Sequence, residues 1–281
     1  MIDLNQLIAR ANDLAPLPAS AVRLAGVVSH PSCHLDDVAD LIRFDQSLTL
    51  RLLRAANSAA SASIMPVSEV SEAVGRMGMA QVLTLAVAWG AQPVLQARIA
   101  AYDLNEGDLW RHAVAAAVAA ETLPNFCSVE VPPETFTAAL LHDVGKLVMG
   151  RFLDAEDLQF IRRAEEVDHC SRLEAESILL SVNHGELGGL IAQHWKLPAR
   201  VVQGIIYHSN PEPGGDVVCD LTYLANVIAK RIEAGLTGQA FGLSVNLGAI
   251  ERLGLTPASL EVLYPVASQR YDQVSRRYNS P

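Results

Sequence analysis

Apolar residues return at three- and four-residue spacing along almost the whole chain, and no long alternating, β-branched run competes with that period. In "LDDVADLIRF", Leu35, Val38, Leu41 and Ile42 fall on one helical face. In "SLTLRLLRAAN", Leu48, Leu50, Leu52, Leu53 and Ala56 surround a strongly apolar helix. A period of this kind forces helices to pack on helices, so an all-α protein is expected. Breaks are expected at Pro16-Leu17-Pro18, His30-Pro31, Met65-Pro66, Gly78, Leu123-Pro124, Pro132-Pro133, Lys196-Leu197-Pro198 and Asn210-Pro211. With 281 residues, 50% of them hydrophobic and 19% charged, the chain can bury the core of one large or two smaller globular domains.

Several function classes are excluded at this level. The longest near-apolar run, "LTLAVAWGAQPVL" at 83–95, is shorter than the ~20 residues a membrane helix needs, and Gln92-Pro93 is expected to interrupt it. The start, "MIDLNQLIAR", lacks the basic and apolar regions of a signal peptide, so no membrane association and a cytoplasmic location are expected. Formal net charge is −10, which removes the electrostatic footprint of a nucleic-acid binder. The compact basic cluster Arg270, Arg276 and Arg277 reads as a solvated face. Cys33, Cys127, Cys170 and Cys219 form no C-x-x-C pair, which argues against a disulfide framework or zinc knuckle.

Histidines are distributed unevenly. Only His30 and His34 precede the polar stretch "AAYDLNEGDLW" at 100–110, a plausible seam, whereas six follow it. A helix over 133–143 places Phe136, Ala139, Leu140 and Asp143 on one stripe, with His142 about 100° round the same turn. An inward aspartate demands a cation, histidine or lysine. Gly145 is expected to supply a left-handed exit, and Lys146 a positive charge beside the carboxylate. His112 lies one turn into an alanine-rich helix. His184 follows Asn183, which stands with Glu186 at capping-box spacing, and His208 ends a helix before Asn210-Pro211. Imidazoles and carboxylates on facing helices are how a bundle makes a metal site. His30, His34, His169 and His194 read as ordinary hydrogen-bonded groups. Taken alone, Asp143 with Lys146 is also compatible with a salt bridge closing a helix end.

Laid out as Trp110-Arg111-His112, "LLHDVGKL", "NHGELGGLIAQHWKLP" and "IIYHSNPEP", the second half resembles the HD superfamily of metal-dependent phosphohydrolases. The first half is similar to one branch of it, the HDOD family, through "LAPLPASAVRLAGVVSHPSCHLDDVADLIRFDQSLTLRLLRAANSAA" at 14–60 and "VSEVSEAVGRMGMAQVLTLAV" beyond it. The resemblance covers about residues 12–232. It implies an N-terminal helical subdomain (1–100), an HD-like helical bundle carrying the site (101–232) and a C-terminal helical extension (233–281).

The resemblance further implies a role in bacterial signal transduction through a protein partner, with little or no catalysis. The alternative it leaves open is an HD-type phosphohydrolase acting on a nucleotide or other phosphoester. Carried onto matching positions, the HD pattern makes His112, His142 and Asp143 ligands of a divalent metal (Fe, Mn, Zn, Ni or Mg). His184 and His208 stand at positions that hold a second metal in two-metal relatives. Lys146 would lie near a substrate phosphate, acting with Asp143 if the site is active, so a small phosphate-containing ligand is also compatible. The pattern's last carboxylate is replaced: "LTYLANVIAKRI" carries Asn226, which removes one negative charge and leaves a weaker ligand. The GYP element of HD-GYP proteins is absent after His208.

Overall fold

The computed structural model describes residues 9, 17–30, 32–59, 67–167, 169–237 and 245–278. Among these, helices account for the regular structure and the one β-type pairing is an isolated bridge between Ile99 and Leu104. The all-α expectation therefore holds. Pro16, Pro31, Met65 and Pro66, expected as helix breaks, lie outside the described residues, as do the side chains of Arg276 and Arg277.

The first half consists of α1 (Ala19–Val28), α2 (Leu35–Arg43), α3 (Gln46–Ala59), α4 (Val70–Met77) and α5 (Met79–Leu95). α1 lies along α5 and α2 packs against α4, around fully buried Leu24, Val38, Ile42, Leu52 and Val74. Gly78, at φ 82°, turns α4 into α5 through 106°, a conformation that favours glycine. Two details differ from the sequence expectation. Leu35 and Leu50 are 45% and 54% exposed. Leu48, Leu52 and Ala56, spaced by four, form the buried stripe of α3, and Leu50 falls about 200° from Leu48, on the opposite side. α5 also runs through Pro93 to Leu95 instead of breaking there. No single helix among the described residues is long and apolar enough to cross a membrane.

The second half is organised around α6 (Asp108–Thr122), in which Ala113, Ala115, Ala116, Ala117, Ala119 and Ala120 are all buried. Their small side chains let neighbouring axes approach closely. α7 (Glu134–Leu141), α13 (Val217–Thr237) and α15 (Pro257–Tyr278) pack directly on α6. The chain between α7 and α13 forms α8 (Lys146–Met149), α9 (Ala155–Glu166), α10 (Arg172–Leu180), α11 (His184–His194) and α12 (Ala199–Ile206). α12 contacts α7, α11 and α13, and α14 (Leu247–Arg252) rests on α13. Local sequence fixes the helix starts. Asp154, Ser171 and Asn183 each accept a backbone N–H of the following turn, and the acid three residues on accepts theirs in return, each N-cap contributing about 1 kcal/mol.

Candidate metal centre

α7 ends at Leu141 and delivers His142 and Asp143 into the bundle, with 0% and 4% exposure. Gly145, expected to exit in a left-handed conformation, instead has φ −62° and ψ −25°. The glycine is required for a different reason: a Cβ there would overlap the carbonyl oxygen of His184, and one on Gly188 would lie 3.4 Å from the Gly145 nitrogen. Backbone touches backbone at this point, and α11 is thereby seated against the HD turn. The expected capping box forms, with Asn183 Oδ1 accepting the Glu186 N–H at 3.0 Å and Glu186 accepting the Asn183 N–H at 2.9 Å.

Four imidazoles and one carboxylate converge here. His142 Nδ1 lies 2.7 Å from the Ala139 carbonyl and His208 Nδ1 2.7 Å from the Ile205 carbonyl. Carbonyls only accept, so both Nδ1 atoms carry the proton, and each neutral ring presents an Nε2 lone pair. His184 Nδ1 is held at 2.7 Å by Glu176 Oε2, and His112 Nδ1 at 3.0 Å by Glu233 Oε2. All four rings thus turn Nε2 inward. The oxygens of Asp143 divide them into two sets: Oδ2 faces His142 and His112 at 3.4 and 3.6 Å, Oδ1 faces His184 and His208 at 3.4 and 3.6 Å. Each set brings three ligand atoms within 4.8 Å of one another.

The donor set fits a divalent cation. His112 Nε2 and His142 Nε2 lie 3.1 Å apart; two lone pairs at that distance in a buried site repel unless a proton or a cation lies between them. Nitrogen-rich ligation with one carboxylate suits Fe, Mn, Zn or Ni better than Mg, which prefers oxygen. Electrostatics agree with neutral rings where partners are carbonyls. Burial pushes His142 below its ordinary pKa, and burial together with the neighbouring His142 pushes His208 well below it. For His184 burial acts downward most strongly, but the Glu176 and Asp143 carboxylates together outweigh it and the net shift is upward. Burial would raise Asp143; Lys146, 2.6 Å from Oδ2, and the imidazoles outweigh it and hold the carboxyl well below its usual range.

Asn226 also reaches the cluster. It is 3% exposed on α13, with its amide oxygen 3.2 Å from His112 Nε2, and so belongs to the His112/His142 side of Asp143. His30, His34, His169 and His194 are exposed and outside the cluster.

Sequence reasoning missed Glu176, Tyr102 and Glu233. Glu176 has no exposed surface. It accepts the Tyr102 hydroxyl at 2.6 Å and both the backbone and ring N–H of His184 at 2.8 and 2.7 Å. Arg172 approaches it at 3.4 Å while stacking 4.6 Å from the Tyr102 ring centroid. One signal was available, since Glu176 shares a helical face with Leu173 and Leu180. Above the cluster opens a cleft of about 1060 Å³, bordered by Lys146, Lys230, Arg172, Tyr223 and Asn226.

A family model, the HDOD domain, matches residues 14–211. The chain belongs to the HDOD family. An uncharacterized protein of Treponema pallidum (strain Nichols) is 28% identical over 211 residues, 72% of this HDOD chain and 38% of that protein, so the chain spans well under half the length of that relative. The fold is that of solved structures. A candidate signal transduction protein of Marinobacter aquaeolei VT8 superposes with a TM-score of 0.67 at 23% identity, covering 98% of this chain and 62% of that one. A candidate phosphohydrolase of Shewanella amazonensis SB2B gives 0.59 at 26% identity, covering 94% and 98%.

Proposed function

We propose that this HDOD protein is a bacterial signal-transduction module that holds a divalent metal and acts through contacts with a protein partner, with little or no turnover of its own. The observation that carries the reading is the neutral Asn226 amide at 3.2 Å from His112 Nε2. On that side of Asp143 the ligands would be two imidazoles, a shared carboxylate oxygen and this neutral amide where the family pattern has a carboxylate, so a cation bound there lacks one balancing charge relative to that pattern. The opposite side has the same count of rings and carboxylate oxygen, without the amide. His184 is oriented by the buried Glu176, His208 by the Ile205 carbonyl, and both face Asp143 Oδ1.

A metal at such a site supplies charge neutralisation and an acidified water. The chain's own residues do the rest: the carbonyls and carboxylates behind the rings fix their tautomers, and Lys146 offsets the Asp143 charge. The second reading, a phosphohydrolase, is favoured by the 1060 Å³ cleft that reaches Asp143 and is bordered by Lys146, Lys230 and Arg172, and by the 26% identity to the candidate phosphohydrolase. In that reading Lys146 and Arg172 would hold a phosphate at the mouth of the cleft.

One experiment separates the two. Protein purified without chelator is analysed for metal, then offered a panel of phosphoesters with added Mn²⁺, Fe²⁺ or Ni²⁺, beside the His142→Ala/Asp143→Ala double variant. Bound metal lost in the variant, with no hydrolysis above the variant's background, is the expected result. Hydrolysis that disappears in the variant overturns the non-catalytic reading in favour of the hydrolase.

A further inference from the structure

On the side of the bundle away from the metal cleft, a groove of about 540 Å³ runs between the two halves of the chain, within the size range of small-molecule sites. Its walls are apolar. Leu85, Ala88 and Trp89 of α5 face Val118 of α6 and Phe136 and Leu140 of α7. Charge is confined to three arginines and one glutamate, a local excess of two positive charges (3 − 1) on a chain whose formal net charge is −10. Arg270 is matched to Glu121 at 3.0 Å. Arg51 and Arg54, one turn apart on the exposed face of α3, have no carboxylate within ion-pair distance among the described residues; the Arg51 guanidinium lies 5.7 Å from the Trp89 ring centroid.

An apolar trough with two unmatched guanidinium groups at its edge is complementary to a molecule with an apolar body and an anionic end. The planar fork of arginine pairs with a carboxylate through two parallel hydrogen bonds. A neutral hydrocarbon would leave the guanidinium groups unused, and a cationic amphiphile would meet repulsion. We infer that this groove is a binding site for an amphipathic carboxylate, an acyl or aromatic body lying between α5 and α7 with its carboxylate at Arg51 and Arg54. The inference is independent of the metal centre, since none of the groove's residues belongs to the histidine cluster.

The test is calorimetric titration of the full chain with decanoate, and with decylamine as the charge-reversed control. Saturable one-to-one binding of decanoate and none of decylamine is expected. Arg51→Gln/Arg54→Gln, at two exposed positions, should weaken decanoate by about tenfold or more, and Thr84→Trp, which fills the groove from the half-buried α5 face, should abolish it. Thermal melts report whether each variant is folded, and either one suffices. Absence of saturable decanoate binding, equal binding of decylamine, or unchanged affinity in a folded variant would overturn the proposal. Self-association of the chain through this groove, relieved by Thr84→Trp without any decanoate binding, would overturn it as well.

Discussion

Replacing Glu176 by glutamine keeps the shape of the side chain and removes its charge, and the consequences can be worked from its four partners. The carboxylate accepts the Tyr102 hydroxyl at 2.6 Å, the His184 ring and backbone N–H groups at 2.7 and 2.8 Å, and Arg172 Nε at 3.4 Å. An amide offers one accepting oxygen. If it faces His184, the NH₂ group faces Tyr102 and Arg172, two natural donors; if it faces Tyr102, the NH₂ group meets the two His184 N–H groups and turns the ring. Hydrogen bonds to a charged group contribute about 1.5–3 kcal/mol each and an unsatisfied buried donor costs about 1–3 kcal/mol. We therefore expect Glu176→Gln to lose about 1–3 kcal/mol of stability in urea unfolding monitored by circular dichroism, and Glu176→Ala about 3–5 kcal/mol. Because a neutral amide holds the His184 ring less firmly in either orientation, metal affinity measured by competition with a chromophoric chelator should fall about 10–100-fold in the glutamine variant. A Glu176→Gln protein with wild-type stability and wild-type metal affinity would refute the reasoning that this carboxylate positions His184.

The remaining predictions concern other parts of the molecule. Asn226→Asp restores a charge beside His112, so metal content measured by elemental analysis should rise. Gly145→Ala should destabilise by about 1–3 kcal/mol, because its Cβ would overlap the His184 carbonyl, whereas Gly26→Ala, in helical α1 with nothing within 4 Å of the added Cβ, should stabilise by about 0.5–1 kcal/mol; urea midpoints of the two variants should move in opposite directions. Asp216 caps α13 and pairs with Arg200 at 3.0 Å, which together hold its carboxyl below the ordinary range. Its contribution is complete above the unfolded-state pKa and is lost as pH falls through the lower folded value. The stability gap between wild type and Asp216→Asn should therefore be open at pH 7 and close at strongly acidic pH. Burial pushes the Cys127 and Cys219 thiols up to about 11, so iodoacetamide at neutral pH should label both far more slowly than a free thiol in solution, as read by mass spectrometry.

Much of this was legible because it is local. The 3.6-residue stripe through Phe136, Ala139 and Leu140 pointed Asp143 inward, and Asn183 with Glu186 announced the start of α11. Lys146 beside Asp143 followed from a spacing of three. His112, in an alanine-rich helix, and His208, at a helix end, carried only weak local signs, and their roles as ligands came with the family resemblance. What sequence spacing could not supply is the layer behind the rings. Glu233 reaches His112 across 121 residues, and Tyr102 reaches Glu176 across 74; such partners are set by how α6, α10 and α13 pack and not by any period. The Gly145 expectation failed for a related reason. A glycine can be demanded by its own dihedral angle or by a neighbour's approach, and only the second applies here. Leu35 and Leu50 show the limit of counting apolar residues, since an apolar side chain off the buried stripe of its helix stays exposed among the described residues.

The long reach of the contacts around His112 has a kinetic consequence. Its ring is joined to His142 across 30 residues, to Asn226 across 114 and to Glu233 across 121, and closing loops of that size comes late because their entropy must be overcome before any contact rewards it. The His112 side of the centre cannot exist in a nascent or half-assembled chain, because α13 must already lie against α6. An ion captured there would act on the finished bundle as a latch. It would slow unfolding while leaving the folding rate almost untouched, since interactions absent from the transition state act on the exit from the native basin and not on the approach to it.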